Sequence, residues 1–228
     1  NQMELKTAQR EDVAITQDSR TTLNSFDLER ERQMIEPKKK LIDIASGIIR
    51  KPFVIDNTNR EVIQALFMYF THDQEFEQSD LCANPSLRKG LMIYGEVGTG
   101  KTVILKSFCK MFRVKFITAR EVSRAFMVEG WDAIDRFGLK SYYQGKPIHT
   151  AFDDLGFEQD CNLYGNKVNV MAEILTDRYE KWRDADMRTF ATTNMDAESI
   201  AEAYGDKVKS RIREMFNYIP LTGEDRRK

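Results

Sequence analysis

The chain has 228 residues, 31% of them charged, with a formal net charge of −1. That length holds one sizeable core plus an extension, and the balanced charge excludes a globally basic nucleic-acid binder, so a DNA site has to be a local patch. Three scattered cysteines (Cys82, Cys109, Cys161), two histidines (His72, His149) and no C-x-x-C argue against a disulfide framework and a zinc site. With no signal peptide and no apolar run of about 18 residues, the chain reads as cytoplasmic, without a membrane role.

Residues 1–50 form a polar N-terminal extension, read either as flexible and solvated or as a docking arm for a partner. Its stretch DLERERQMIEPKKK is a dense run of charge broken by Pro37, and Leu41 to Ile49 predicts an amphipathic helix. From Asn59 to Phe70, apolar residues recur at Val62, Ile63, Leu66, Phe67 and Phe70, which is helical spacing, with Asn59 as the expected N-cap. After a polar loop through Asn84-Pro85, Leu91 to Tyr94 reads as a strand.

That strand runs into Gly95-Glu96-Val97-Gly98-Thr99-Gly100-Lys101-Thr102-Val103, which contains G-x-x-x-x-G-K-[ST]. A loop that wraps a phosphate turns its N–H groups inward, and glycines permit the dihedrals and the close approach. The helix predicted from Thr102 adds the attraction of its N-terminal dipole for an anion. Lys101 suits the β- and γ-phosphates, and the Thr102 hydroxyl suits Mg2+. These nine residues are the candidate nucleotide site.

Further strands are expected at Lys115–Thr118, Ile148–Phe152, Arg188–Thr192 and Tyr218–Leu221, separated by helices. Strands alternating with helices predict an α/β fold with a parallel sheet. Between the second and third lies a long insertion, read as helical, in which Lys140, Tyr142, Tyr143 and Lys146 mix aromatics with charge. That is the composition of a single-strand-binding surface, and equally of a surface loop.

Three further clusters supply what hydrolysis needs. An apolar run ends in Asp153-Asp154, at the strand edge where open α/β sheets place their sites. Asp153 is the candidate Mg2+ carboxylate, and Asp154 the group that orients water. Asn194 follows the fourth strand, where a neutral amide can bond a γ-phosphate without competing for metal. In YGDKVKSRIREMF, Arg211 and Arg213 stand on a predicted helix, and an arginine's rigid fork suits a terminal phosphate.

Taken in order, YGEVGTGKT, FDDLG, TTNM and YGDKVKSRIREM resemble the AAA+ ATPases, and within them the DnaC/IstB-like branch of helicase loaders and transposition helpers. The resemblance spans roughly residues 52–222. It implies a P-loop core with a five-stranded parallel sheet flanked by helices, residues 51–228 as the ATPase domain, and no C-terminal helical lid. Lys101 and Thr102 then correspond to Walker A, Asp153 and Asp154 to Walker B, Asn194 to sensor 1, and Arg211 to an arginine finger acting on a neighbouring subunit. Phe53 to Asn57 corresponds to a segment that packs near adenine, while Arg226 and Arg227 receive no role.

The implied activity is Mg2+-dependent ATP hydrolysis by an ATP-dependent homo-oligomer working on DNA, single-stranded by expectation. Its partner is a replicative helicase, as in a loader, or a transposase, as in a transposition helper. The third reading is a nucleotide-gated binding module with little turnover.

Overall fold

The computed structural model describes residues 34–158, 161–163 and 165–227. The expected docking arm therefore lies largely outside the described residues. The chain divides into two units, Asn1–Asp43 and Ile44–Lys228. From Ile35 the described part of the first is helical, in α1 (Ile35–Ile49), which starts six residues before the expected helix. Pro37 is accommodated because the first N–H groups of a helix have no intrahelical acceptor.

The second unit is built on a five-stranded sheet. Its strands are β1 (Gly90–Tyr94), β2 (Lys115–Thr118), β5 (Thr150–Leu155), β8 (Thr189–Thr193) and β9 (Phe216–Pro220). They lie in the order β2-β5-β8-β1-β9, and every pairing is parallel. The expected α/β class and parallel sheet are what the chain adopts. The strand ends differ by a few residues: β5 runs on through both acids to Leu155, because Thr193 and Leu155 still pair across the sheet.

Helices cover both faces. On one face α2 (Arg60–Phe70) and α3 (Lys101–Phe112) pack through aromatics, with Phe67 against Phe108 at 4.8 Å, Phe70 against Phe112 at 4.9 Å and Phe70 against Phe190 of β8 at 5.4 Å. On the other face lie α4 (Ala119–Glu129), α5 (Trp131–Phe137), α6 (Val170–Ala185), α7 (Ala197–Tyr204) and α8 (Asp206–Met215). Val122, Phe126, Phe137, Met171, Ile174 and Ile212 from these helices bury against Met92, Phe152 and Ala191. Leu91 and Ile93, alternating with Met92, are buried too, so β1 is apolar throughout, as a strand covered on both faces must be.

Two expectations are corrected. Asn59 holds the N-cap position of α2 but makes no side-chain cap bond. Its buried amide turns back instead, accepting from Asp56 N at 3.0 Å and donating to Val54 O at 3.0 Å, which fixes the segment leading into the helix. The insertion is helical only as far as Phe137. Tyr142–Tyr143 (β3) and Lys146–Pro147 (β4) pair as an antiparallel ribbon. Gln144 and Gly145 between them both have positive φ, 48° and 75°, the dihedrals a two-residue hairpin turn requires. A second ribbon joins β6 (Cys161–Leu163) to β7 (Asn166–Val168). Among the described residues no helix is long and apolar enough to cross a membrane.

Candidate nucleotide site

The phosphate loop leaves β1 at Tyr94 and enters α3 at Lys101. Its glycines answer to specific neighbours. Gly95 has φ 144°, and a Cβ there would lie 2.2 Å from the Leu221 carbonyl oxygen, where the chain leaving β9 bonds back to Tyr94 O at 2.8 Å. Gly98 has φ 86°, and a Cβ would fall 2.1 Å from Asp225 Oδ1. Helix α3 starts with no side-chain cap, so its first N–H groups remain directed out of the helix, the arrangement that attracts anions.

Lys101 is 5% exposed, and its Nζ donates to Gly95 O at 2.8 Å and Glu96 O at 2.7 Å. Burial lowers its pKa, while the carboxylates of Asp154 and Asp153 work in the opposite direction. Thr99 is buried and its Oγ1 donates to Glu96 O at 3.0 Å, which braces the loop from within.

Beside the loop, β5 presents its two acids in different environments. Asp153 is 2% exposed, and burial pushes its carboxyl up from the ordinary value while the hydroxyls of Thr192 and Thr102 hold it down. Asp154 is exposed, with φ 57°, at a point where the β5–β8 register slips between Phe152 and Leu155. Aspartate tolerates this left-handed conformation better than most residues. Thr192 on β8 ties the pair together: its Oγ1 donates to Asp153 Oδ1 at 2.6 Å and accepts from Asp154 N at 2.9 Å.

These elements border one cavity of about 490 Å3. Gly98, Gly100, Lys101, Thr102, Val103, Asp154 and Asn194 line it, together with Ile49, Lys51, Phe53, Val97, Arg226 and Arg227. Gly95, Glu96 and Thr99 build the loop without lining the cavity, and the buried Asp153 is not among its lining residues either. Arg211 lies elsewhere, on α8, with its guanidinium 5.3 Å from the Tyr179 ring centroid and 3.8 Å from the Glu180 carboxylate of α6. In the insertion, Tyr143 and Lys146 are exposed and Lys140 pairs with Asp135 at 2.6 Å.

Thr102 and Asp153 offer oxygen donors, a hydroxyl and a carboxylate, which suit a hard cation such as Mg2+. Among the described residues no group of three His, Cys, Asp or Glu could hold a metal by itself. Such an ion would depend on a ligand's own phosphate oxygens, as Mg2+ commonly does.

Sequence reasoning missed Thr192 and Lys51 and left Arg226 and Arg227 unassigned. A hydroxyl at the end of a predicted strand was the only available signal for Thr192. Nothing local marked Lys51.

No family model matches the chain, and no curated protein matches it. Among solved structures, DnaA from Aquifex aeolicus bound to AMPPCP is similar at 18% identity and TM-score 0.50, covering 76% of this chain and 50% of that one. A replication initiator DnaA bound to AMPPCP and single-stranded DNA is similar at 15% identity and TM-score 0.51, covering 75% of this chain and 49% of that one. The DnaC helicase loader is similar at 23% identity and TM-score 0.48, covering 75% of this chain and 93% of that one. At these identities the likeness is one of fold: the chain has the AAA+ type of P-loop fold, a parallel five-stranded sheet between two layers of helices.

Proposed function

We propose that the protein binds ATP with Mg2+ and hydrolyses it as an oligomeric helper of DNA replication, of the helicase-loader kind. The observation that carries this reading is the convergence of Lys101, Thr102, Asp154 and Asn194 on one cavity whose other lining includes the apolar Ile49, Phe53, Val97 and Val103. A cavity with both characters suits a purine base joined to a polyphosphate.

In this reading the loop N–H groups and the N-terminus of α3 hold the phosphates. Lys101 exchanges its two loop carbonyls for phosphate oxygens. Thr102 and Asp153 hold Mg2+, which neutralises phosphate charge. Asp154, exposed to the cavity, orients the attacking water, and Asn194 bonds the terminal phosphate. Arg211 is outside its own chain's cavity, which favours action on a neighbour's site.

The DNA-replication part rests on the sequence resemblance to helicase loaders. It also rests on the fold shared with an initiator bound to AMPPCP and single-stranded DNA. The exposed Tyr143 and Lys146 ribbon is the candidate DNA contact.

Mixing two inactive variants tests the shared site. Arg211→Ala keeps its own Walker residues, and Asp154→Asn keeps its arginine. Each alone should bind ATP and hydrolyse it poorly. Mixed under subunit exchange, with single-stranded DNA and a replicative helicase present, they should regain turnover. Exchanging mixtures that stay inactive at every ratio would remove Arg211 from the neighbour's site. Stimulation by a transposase and not by a helicase would redirect the partner.

A further inference from the structure

The chain beyond β9 returns to the candidate nucleotide cavity, and Arg226 there bonds to two of its walls. Through its backbone it meets the phosphate loop, its N–H donating to Gly98 O at 3.0 Å. Through its side chain it meets the segment before α2: Nη2 donates to Asp56 Oδ1 at 2.8 Å and contacts Thr58 Oγ1. Its carbonyl accepts from Lys51 Nζ at 2.9 Å, on the same segment. Both walls matter to the cavity, since Phe53 and Lys51 line one and Gly98 and Gly100 the other.

The contact is prepared on each side. Asp56 Oδ1 also accepts from Thr58 N at 2.9 Å and Thr58 Oγ1 at 2.7 Å, so the carboxylate is fixed by its own turn before it meets the arginine. Asn59 clamps that turn to α2 through the bond from Asp56 N. On the other side, Asp225 occupies the space where a Cβ on Gly98 would stand, and its Oδ1 accepts from Arg227 N at 2.9 Å. Gly98 thus leaves room for the returning chain.

We propose that Arg226 is a positioning residue of the nucleotide site: it latches the Lys51–Asn59 segment to the phosphate loop and so sets how long a bound nucleotide stays. This rests on the nucleotide-binding reading above. Arg226 bonds Asp56, Thr58 and Gly98, and its role is exerted through the walls it joins. The Arg226 hydrogen bond holds the Asp56 carboxyl well below the usual carboxylate range. A depressed carboxyl pKa means that the contribution is complete above the ordinary value of 3.8 and fades only as pH falls through the folded value. The latch therefore stays closed across the neutral range.

The test is the dissociation rate of a fluorescent ATP analogue from the full chain with Mg2+, followed by chase with unlabelled ATP. Arg226→Gln and Asp56→Asn should each speed dissociation roughly fivefold, the scale of one charge-assisted contact of moderate exposure. The double variant should be no faster than either single, since both remove one contact. Arg226→Lys, which keeps the charge but not the fork, should fall between parent and Arg226→Gln. Parent-like rates in both single variants, or additive effects in the double, would overturn the latch and leave the nucleotide reading standing. Unchanged analogue affinity in Lys101→Ala would overturn the nucleotide reading itself.

Discussion

Lys101 and Arg178 are both buried cations on helices packed against the same sheet, Lys101 of α3 near the carboxyl ends of its strands and Arg178 of α6 near the amino ends. Arg178 is 0% exposed and is satisfied four times: Nε donates to Thr189 Oγ1 at 2.7 Å, Nη1 to Phe137 O at 2.9 Å, and Nη2 to Ile148 O at 3.1 Å and Arg188 O at 2.9 Å. Burial lowers its pKa to about 9, still charged at neutral pH. Lys101 has two acceptors, both backbone carbonyls of a glycine-rich loop, and two carboxylates nearby. A rigid fork held by strand ends and the helix end at Phe137 has no freedom left, and its work is structural. A flexible ammonium held by loop carbonyls can change partners. Burial of a cation therefore says little about function until its acceptors are named.

The largest expected effect tests the structural half of that contrast. Arg178→Met should cost about 3–5 kcal/mol of unfolding free energy, because it strands several buried acceptors. Urea unfolding reads this directly, and a loss below about 1 kcal/mol would show that the acceptors find other partners. Arg178→Lys should recover only part, since an ammonium cannot span acceptors from three separate segments.

Lys101→Ala should do the reverse. Analogue affinity should fall at least about a hundredfold, equivalent to roughly 2.7 kcal/mol. Unfolding free energy should change by less than about 1 kcal/mol, since only loop carbonyls lose a partner. A stability loss matching that of Arg178→Met would erase the distinction between the two cations.

The smallest effect sharpens the picture at the amino end. His149 Nδ1 accepts from Arg188 N–H at 3.1 Å, which requires a neutral ring. Burial, helped by the nearby Arg188 charge, lowers its pKa below the ordinary 6.5. A histidine with a depressed folded pKa contributes fully above the ordinary value and loses that contribution as pH falls through the folded one. Stability should therefore decline as pH falls below about 6.5. His149→Asn keeps an acceptor without the titration and should flatten that part of the curve. An unchanged acid slope would assign the decline to other groups.

The phosphate loop was legible in the sequence because its chemistry is local: the glycines, the lysine and the helix that follows are consecutive. The sheet was legible because strands buried on both faces are continuously apolar, as Leu91–Ile93 are. Contacts set by register were not legible. Thr192 meets Asp153 only because β8 lies beside β5, and parallel register cannot be counted from spacing. Asn59 looked like a cap because of its position, but Asp56 and Val54 offered its amide partners that a sequence does not display. The ribbon turn at Gln144-Gly145 did carry a signal, a glycine between two short polar-aromatic runs, which the helical pattern before it outweighed. Arg226 was unassignable because its partners, Asp56 and Gly98, are distant in the chain.

The strand order has a consequence for synthesis on the ribosome. β1 carries the phosphate loop, yet its neighbours in the sheet are β8 and β9, which begin at Thr189 and Phe216. Until those residues have emerged, the nascent β1 has neither edge covered, and an apolar strand with open edges is prone to wrong pairings. The loop closures that join residue 94 to residues 193 and 220 come last and are long, which slows folding. The nucleotide cavity is thus assembled only after nearly the whole of the second unit has been made, so an incomplete chain displays the phosphate-loop sequence without a formed site.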